Sequence, residues 1–392
     1  MGQEKITCEV LVVGGGVAGM SAALTAAREG AYTLLVEKNG FPGGAAVTGL
    51  HRFICGLYAH GMGMPDHTLN EGIAPEICAR LKVLAPDKAV LPRGKVYVLP
   101  YTTGNLISVF RSLSEAEKQL DILYNTKTVS VKTEKHIITA VTVRGLDGEY
   151  DIAPRVVIDC SGDAIIVQLS GARYQLSPPH QRQLAGYTFR VKGLRDVDDI
   201  VALRVPYCLA QAVAEKKMPS YLKFTTFTPG DDQDEGYCRL NIPPVVAGER
   251  NKQARKDALL VHSYLCKVLP VFRHSSIAEM SPEVLDREGP RVCGEYTLSV
   301  DDVVNARKFP DGVVKNAWPI ELWDQEKGVR YQYLHPGDYY EIPLRCLKAQ
   351  DISNLYCAGR CISVSHEALG STRVMGTCIS LGEQAGREAA KS

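Results

Sequence analysis

Residues Cys8 to Gly19 read CEVLVVGGGVAG, an apolar run followed at once by three glycines and by a fourth three positions later. The β-branched residues before Gly14 predict a buried strand, and the Ala-rich residues after Gly16 predict a buried helix. A second apolar stretch, Tyr32–Val36, predicts another strand that ends at Glu37. Strand, glycine turn, helix and strand in this order predict an α/β fold built on a buried sheet.

The spacing of these glycines has a chemical explanation. Gly14 permits a tight turn, Gly16 lets backbone N–H groups approach a pyrophosphate, and Gly19 lets the helix pack closely on the strand. The N-terminus of that helix offers partial positive charge to the phosphates. Glu37 lies 18 positions past Gly19, where a carboxylate accepts hydrogen bonds from ribose hydroxyls and disfavours a 2′-phosphate. The segment therefore predicts a Rossmann-like dinucleotide site that disfavours NADP.

FAD and NAD share this fingerprint, and the residues after Glu37 distinguish them. Lys38 to Ala45 contain Gly43-Gly44 where a simple NAD domain continues with a compact helix and strand. Adjacent glycines let the backbone lie close against a long cofactor. The stretch resembles the FAD-binding loop of the flavoprotein group that includes glutathione reductase-like and fumarate reductase-like enzymes.

Composition limits the kinds of partner that we expect. The 392 residues include 45 Lys+Arg and 44 Asp+Glu, for a formal net charge of +1. This balance argues against broad electrostatic binding to nucleic acid or to an anionic membrane. The length fits two or three domains. The 12 cysteines form no CxxC pair, which predicts reduced thiols in a cytoplasmic protein and no metal site.

Val10–Ala27 is an uncharged run of membrane-spanning length, but its glycines predict the strand, turn and helix described above. We therefore expect no membrane span. Charged residues before the glycines also leave no hydrophobic region for a secretory signal.

The sequence between residues 103 and 159 predicts one helix and a set of antiparallel strands. Helical spacing of apolar residues covers Thr103–Gln119. Alternating patterns then predict a meander of four strands, at Ile122–Tyr124, Thr126–Thr133, Ile137–Arg144 and Tyr150–Ile152. A further strand, Arg155–Asp159, precedes the sequence Cys160-Ser161-Gly162-Asp163.

The C-terminal segment predicts a return of the chain to the cofactor. Asn354–Ala358 predicts a strand, Cys361–Thr372 a loop, and Val374–Ala390 a helix that Leu369–Arg373 opens. The free N–H groups and the dipole of this helix would suit the edge of a flavin where negative charge gathers on reduction.

The whole chain resembles the FAD-dependent oxidoreductase family, with the fumarate reductase-like flavoproteins as distant relatives. The resemblance rests on the glycine fingerprint with Glu37, on Pro42-Gly43-Gly44, on Asp159–Asp163, and above all on Tyr340–Leu347, Asn354–Ser363 and His366–Met375. It implies an α/β fold with a discontinuous Rossmann-like FAD-binding domain, residues 1–163 and 341–392, that includes an antiparallel meander. Residues 164–340 would form an inserted α+β substrate or cap domain, with helices at Val201–Glu215 and Gln253–Val268 and strands at Tyr187–Val191, Leu222–Phe227 and Tyr237–Ile242.

The resemblance and the motifs together assign the FAD contacts. These are Gly14, Gly16, Val17, Ala18, Gly19, Glu37, Lys38, Gly43, Gly44, Ala45, Val129, Cys160, Gly162, Asp163, Gly359, Arg360, Ser371, Arg373, Val374 and Met375. Val129 is included because the backbone of this family usually holds the adenine ring near that position.

Four residues are candidates for the chemistry beside the flavin. His366 would be a general acid or base, or a loop residue bonded to backbone. Arg373 would hold a substrate carboxylate or the flavin C2 oxygen, or pair with a glutamate such as Glu367. His51 and Arg52 would border the isoalloxazine or form a surface pair. Weaker candidates are Cys55, Tyr58 and His335, and for Cys55 core packing is the favoured interpretation.

These observations predict an FAD enzyme that exchanges a hydride with a small organic substrate, either by oxidising a C–H next to O or N or by reducing an activated C=C. Two alternatives are a flavoprotein subunit that passes electrons to a protein partner and an NAD-dependent dehydrogenase without flavin. The electron acceptor is unknown from the sequence, and homo-oligomer formation is left open.

Overall fold

A mixed arrangement of helices and strands runs through residues 5–61, 63–198, 200–244 and 249–392, the parts of the chain that the computed structural model describes. The strands are β1 (Lys5–Val13), β2 (Thr33–Val36), β3 (Phe53–Ile54), β4 (Leu91–Arg93), β5 (Val96–Pro100), β6 (Leu120–Leu123), β7 (Lys127–Glu134), β8 (Ile137–Gly145), β9 (Gly148–Asp159), β10 (Tyr174–Gln175), β11 (Ala185–Lys192), β12 (Thr226–Pro229), β13 (Glu235–Ile242), β14 (Ser276–Met280), β15 (Arg291–Val292), β16 (Gly312–Asn316), β17 (Ile320–Asp324), β18 (Gly328–Gln332), β19 (Tyr340–Pro343) and β20 (Leu355–Cys357). The helices are α1 (Val17–Arg28), α2 (Ala45–Thr48), α3 (Ile73–Leu84), α4 (Thr103–Glu115), α5 (Ile165–Leu169), α6 (Val201–Ala214), α7 (Arg250–Val268), α8 (Val300–Val304), α9 (His366–Thr372) and α10 (Met375–Lys391).

A parallel sheet forms the centre of the molecule, with β6, β2, β1 and β9 in that order and β20 beside β9. Val13 at the end of β1 is in register with Val36 of β2 and with Asp159 of β9. The carboxyl ends of these strands therefore meet at one edge, which is where ligands bind in sheets of this kind.

Strand β9 joins the parallel sheet to the antiparallel meander. Its first half pairs with β8, as in Val141 opposite Ile152, and its second half pairs in parallel with β20, as in Val157 beside Leu355. The prediction of two separate strands, at 150–152 and 155–159, was therefore wrong. The strand predicted at 122–124 as part of the meander is instead β6, which pairs in parallel with β2.

Helices α1 and α10 pack against each other on one face of the sheet, within the main apolar core. A Cβ atom on Gly382 would lie 2.0 Å from Ala18 O, and one on Gly386 would lie 2.2 Å from Ala22 O. Glycine is thus required at both positions, because no side chain fits between the two backbones. The same core takes in apolar residues from the later chain, among them Leu298, Val314 and Leu334.

A second sheet is antiparallel, with the order β12, β13, β11, β14, and it packs with α6 and α7 around a separate apolar core. Residues 222–227, predicted as a strand, instead begin as a 3₁₀ turn over Ser220–Phe224 and continue as β12. The N–H of Leu222 donates to Pro219 O, which tightens the chain into the turn and buries the Leu222 side chain.

Among the described helices, none combines the length and the apolar character that crossing a membrane requires.

Candidate active site

A cavity of about 510 Å³ opens at the carboxyl edge of the parallel sheet. Its lining includes 17 of the 20 residues predicted to bind FAD: Gly14, Gly16, Val17, Ala18, Glu37, Lys38, Gly43, Gly44, Ala45, Cys160, Gly162, Asp163, Gly359, Arg360, Arg373, Val374 and Met375. The first and last parts of the chain therefore build one site, and the second sheet adds residues to it, among them Thr188 and Arg239.

The glycine turn after β1 has the geometry that its spacing predicts. Gly14 has φ of +100°, and a Cβ there would lie 2.7 Å from Cys160 O. A Cβ on Gly19 would lie 1.7 Å from Gly14 O, so Gly19 permits the contact between helix and turn instead of lining the cavity. A Cβ on Gly16 would have nothing within 4 Å, and Gly16 provides no side-chain cap to α1. The helix therefore begins at open space that a phosphate can occupy.

The Glu37 carboxylate is held in place at the end of β2. Its Oε2 accepts a hydrogen bond from the Gly15 N–H at 2.6 Å, and its Oε1 accepts from the Asn39 N–H at 2.8 Å. The side chain is almost fully buried but contributes to the cavity wall. Contact with ribose hydroxyls remains a prediction for this group.

The loop at Gly43-Gly44 lies directly against the glycine turn. Gly43 donates from its N–H to Gly15 O at 2.8 Å, and both loop glycines have positive φ, +110° and +50°. A Cβ on Gly44 would lie 2.9 Å from Gly16 Cα. Side chains would therefore separate these two segments and close the space between them.

The C-terminal part of the site differs from the prediction in one element. Residues 366–372 form α9, not a loop, because the Ser365 hydroxyl caps them by accepting from the Ala368 N–H. The helix at the cavity consequently begins at Met375 and is not opened by residues 369–373. Ser371, predicted to contact FAD, lies in the core, where its hydroxyl bonds to Trp318 O and to the Tyr340 hydroxyl.

Arg360 and Asp163, both predicted cofactor residues, form an ion pair at the cavity wall. Arg360 Nη1 is buried and has no hydrogen-bond partner among the described residues.

Val129 lies outside the cavity that the described residues line. It sits on β7 at an irregularity, since the pairing with β8 shifts between Thr128 and Ser130. The extra residue at such a bulge leaves the hydrogen-bonded ladder. Its role in holding an adenine remains a prediction.

His366 is also placed elsewhere than predicted. Its Nδ1 lies 2.9 Å from Glu288 Oε2, and the described lining of the cavity does not include it. The hydrogen bond to this carboxylate raises the pKa of His366, although burial opposes the shift. The structure therefore makes His366 half of an ion pair at the start of α9 and gives no support to a role beside the flavin.

His51 lines the cavity and contacts a half-buried arginine, Arg239, that sequence reasoning missed. Arg239 Nη2 lies 2.8 Å from His51 Nδ1. Burial lowers the pKa of His51 far below its ordinary value, and the charges of Arg239, Arg287 and Arg373 lower it further. His51 is therefore neutral, and because a guanidinium only donates, its ring proton resides on Nε2.

Arg287 and Arg373 complete a cluster of three arginines with Arg239 on the cavity wall. Arg287 stacks on the Trp323 ring at 4.2 Å from its centroid and donates to Leu184 O at 2.5 Å. Arg373 donates to Glu321 O at 3.0 Å. Burial lowers the pKa of each guanidinium, and the charge of Arg373 lowers the pKa of Arg239 and of Arg287 further.

Glu321 faces the same part of the cavity on β17. Its Oε1 accepts from Trp323 Nε1 at 2.6 Å and its Oε2 accepts from Trp318 Nε1 at 3.3 Å. The two indoles fix the orientation of this carboxylate.

Arg52 lines the cavity, but its charge is balanced. It pairs with Asp231, which also pairs with Lys88, and its guanidinium lies over the Tyr237 ring. Cys55 is a half-buried thiol on the same wall, and desolvation raises its pKa to about 12, so it is protonated near neutral pH. The preference for core packing over redox chemistry is consistent with this pKa.

Arg239, Arg287 and Glu321 had no local motif that marked them as site residues. A signal existed for Arg239, since the alternation of β13 puts Tyr237, Arg239 and Asn241 opposite the buried residues Cys238 and Leu240. Arg287 follows β14 in an irregular stretch, where no periodicity indicates the direction of a side chain.

A family model described as FAD dependent oxidoreductase matches residues 9–392 of the chain. The chain belongs to the FAD dependent oxidoreductase family. It is accordingly an enzyme with FAD as its cofactor, and the open space at Gly16 and the close approach of Gly44 suit the phosphates and the length of that molecule. A comparison with curated proteins gave no match.

Several solved structures resemble this member of the FAD dependent oxidoreductase family. OxyS anhydrotetracycline hydroxylase from Streptomyces rimosus has a TM-score of 0.50 at 12% identity, over 98% of this chain and 62% of that one. A geranylgeranyl bacteriochlorophyll reductase-like protein from Thermoplasma acidophilum has a TM-score of 0.49 at 13% identity, over 99% and 78% of the two chains. At this identity the likeness to the hydroxylase shows the α/β fold and nothing about the substrate.

Proposed function

We propose that this enzyme binds FAD along the whole cavity and exchanges a hydride between the flavin and a small organic substrate. The observation that supports this most strongly is the single cavity that both chain ends and the inserted segment line together. Its glycine turn and Glu37 would hold the pyrophosphate and the ribose. The loop at Gly43–Ala45 and the start of α10 at Met375 would border the isoalloxazine.

The division of labour between the domains is also a proposal. Residues 1–163 and 341–392 would form the FAD-binding domain, and residues 164–340 would supply the substrate or cap domain. Leu298, Val314 and Leu334 pack in the main core, however, so the last part of that segment belongs with the FAD-binding domain. The separate core of the second sheet, which includes Tyr187, Phe189, Leu240 and Leu265, supports this division. Arg239 on β13 lines the cavity, which supports a role for this sheet in binding the substrate.

Bound FAD supplies the two-electron chemistry, so the protein needs only to orient the substrate and to handle one proton. Glu321 is the proton acceptor that we propose, because its carboxylate lines the cavity and is oriented by two indole N–H groups. A carboxylate oriented toward the cavity, such as that of Glu321, favours an enzyme that turns over a small molecule over a subunit that only passes electrons to a protein partner.

The cofactor proposal is tested by filling the space at Gly16. Gly16 has an ordinary φ of −66° and room for a side chain, so Gly16→Asp should fold but should exclude the pyrophosphate by bulk and charge. Gly104→Asp is the matched control, because Gly104 also has open space and lies on α4, outside the described cavity lining.

Absorption spectra of the purified proteins report the result. We expect flavin bands in the wild type and in Gly104→Asp after addition of FAD, and their loss in Gly16→Asp. Absence of bound flavin in the wild type, or full FAD affinity in Gly16→Asp, would contradict the proposed binding mode.

A further inference from the structure

We propose that Arg239, Arg287 and Arg373 bind the carboxylate of a 2-hydroxy acid, the substrate class of this enzyme. This inference rests on the proposed function and adds to it the chemical identity of the substrate. Arg239 lies on β13, Arg287 follows β14, and Arg373 follows α9, so these distant residues meet only in the folded protein.

The hydrogen-bond acceptors of these three groups leave their charge unbalanced. Arg239 donates a hydrogen bond to a ring nitrogen of His51, and Arg287 donates to a backbone carbonyl. Arg373 donates to a backbone carbonyl and to the amide oxygen of Gln183. Each of those acceptors is uncharged. Arg373 Nε is also buried without a hydrogen-bond partner among the described residues. By contrast, the cavity residues Arg52 and Arg360 pair with Asp231 and Asp163.

Three guanidinium groups in one cavity create a positive electrostatic potential that favours binding of an anion. Burial lowers the pKa of all three guanidinium groups, and the charge of Arg373 lowers the pKa of both Arg239 and Arg287 further. Glu321 is the carboxylate that offsets them, and it leaves an excess of two positive charges. Neutral His51 adds a further donor, its Nε2–H. A bound carboxylate would relieve this repulsion.

The position of the cluster separates it from the phosphate site. Arg373 directly precedes Val374 and Met375, and His51 follows the loop at Gly43–Ala45, so the arginines lie at the end of the cavity that would hold the isoalloxazine. Gly16 and Glu37 mark the other end. The pyrophosphate of FAD would be bound by the glycine turn, which leaves the arginines for the substrate.

Charge also selects among acids that have an oxidisable C–H next to the carboxylate. An amino acid would bring an ammonium group into the field of three arginines, which is unfavourable. A 2-hydroxy acid has the same carboxylate and a neutral hydroxyl. Its oxidation would break the C2–H bond with transfer of the hydride to bound FAD, the Glu321 carboxylate would accept the hydroxyl proton, and C2=O would form. The acid becomes a 2-oxo acid and the flavin gains two electrons.

The test compares three probes of equal size on the FAD-loaded enzyme under anaerobic conditions. Glycolate is an anion, glycolamide is neutral, and glycine is a zwitterion with an ammonium group. We expect glycolate to perturb or bleach the visible flavin bands at a concentration at least tenfold below that of the other two. A comparable response to glycolamide or to glycine, or no response to glycolate, would overturn the proposal.

Substitutions then identify the groups responsible. Arg239→Gln, Arg287→Gln and Arg373→Gln should each raise the glycolate midpoint about tenfold or more, as the loss of a charged hydrogen bond does. FAD affinity should be unchanged in Arg239→Gln and Arg287→Gln. Arg373 is also a predicted FAD contact, so its variant is compared at saturating FAD. Lys267→Gln is the control for overall charge, since Lys267 is exposed on α7, and it should leave the midpoint unchanged.

The outcomes distinguish the two proposals. Midpoints within twofold of the wild type in all three arginine variants, or weakened FAD binding with unchanged glycolate binding, would overturn the carboxylate site while the FAD enzyme stands. A wild-type protein that binds no FAD would contradict the proposed function itself. Should one variant fail to fold, the comparison of the three probes on the wild type still decides.

Discussion

The Glu288 side chain is fully buried and depends on three partners for its charge. His366 Nδ1 lies 2.9 Å away, the Ser177 hydroxyl donates to it at 2.5 Å, and Arg291 Nη1 donates at 2.9 Å. Burial would raise its pKa, but the hydrogen bonds from His366 and Ser177 outweigh that effect and lower the pKa to about 2. The pKa of His366 is raised by the same contact.

This pair predicts a pH dependence of stability. The raised pKa of His366 means that its contribution is full below about pH 6.5, the unfolded value, and is lost as pH rises through the folded pKa. The lowered pKa of Glu288 means that its contribution is full above about pH 4.5 and is lost only as pH falls toward 2. The pair therefore stabilises the fold most between about pH 4.5 and 6.5.

Urea unfolding of the wild type and of His366→Gln over this range measures the effect. The variant should lose more stability near pH 5.5 than at higher pH, where the wild-type histidine also loses its proton. Equal losses at both values would show that the ion pair contributes nothing. FAD binding should survive the substitution, because His366 lies outside the described cavity lining.

At the level of single residues, the sequence predicted the parts of the site that local motifs encode. Gly14, Gly16, Gly44 and Glu37 lie on the cavity because the turn, the helix start and the strand end are each fixed by neighbouring residues. Arg287 and Glu321 could not be predicted in this way. Their side chains meet only through packing between elements far apart in the chain, which no spacing rule reports.

Among the secondary-structure elements, the contact between α1 and α10 is the most sensitive to side-chain size. Gly386→Ala should destabilise the fold by roughly 3 kcal/mol or more, because the new Cβ would lie 2.2 Å from the Ala22 carbonyl oxygen and the helices would have to separate. The free energy of unfolding from chemical denaturation measures this loss.

Gly104→Ala is the matched substitution on another helix. A Cβ at Gly104 meets nothing within 4 Å, so the change should be neutral or stabilise by up to about 1 kcal/mol through helix propensity. A small effect of Gly386→Ala, similar to that of Gly104→Ala, would mean that α1 and α10 do not approach as closely as described.

The errors in predicting elements also have a physical origin. Strand β9 was divided in the prediction, yet it continues through Pro154 because β1 pairs with it on both sides of that residue, while its other edge pairs first with β8 and then with β20. Helix α9 was predicted as a loop because its seven residues are too short to show a helical period. Pairing partners and tertiary packing decide such cases, and neither is visible in a local pattern.

For the whole molecule, the shared cavity predicts that cofactor binding and global stability are coupled. Segments near residues 14, 44, 160, 239, 287, 360 and 374 all line it. FAD at about 100 times its Kd should raise the free energy of unfolding by about 2.7 kcal/mol. Thermal unfolding of the apo and FAD-loaded protein should show a higher midpoint for the latter.

Gly16→Asp provides the control for this measurement, since added FAD should leave its unfolding midpoint unchanged. Equal shifts in the variant and the wild type would mean that FAD stabilises the protein at some place other than the described cavity.

The pairing of β20 with β9 sets the order in which this protein can be completed during synthesis. Leu355 is the partner of Val157, so the ribosome must add 198 residues after Val157 before the strand exists. At about 5–20 residues per second this takes roughly 10–40 s. Until α10 has also emerged, Ala18 and Ala22 on α1 lack their covering helix. The nascent chain therefore exposes apolar surface for most of its translation, and chaperones have that interval in which to bind it.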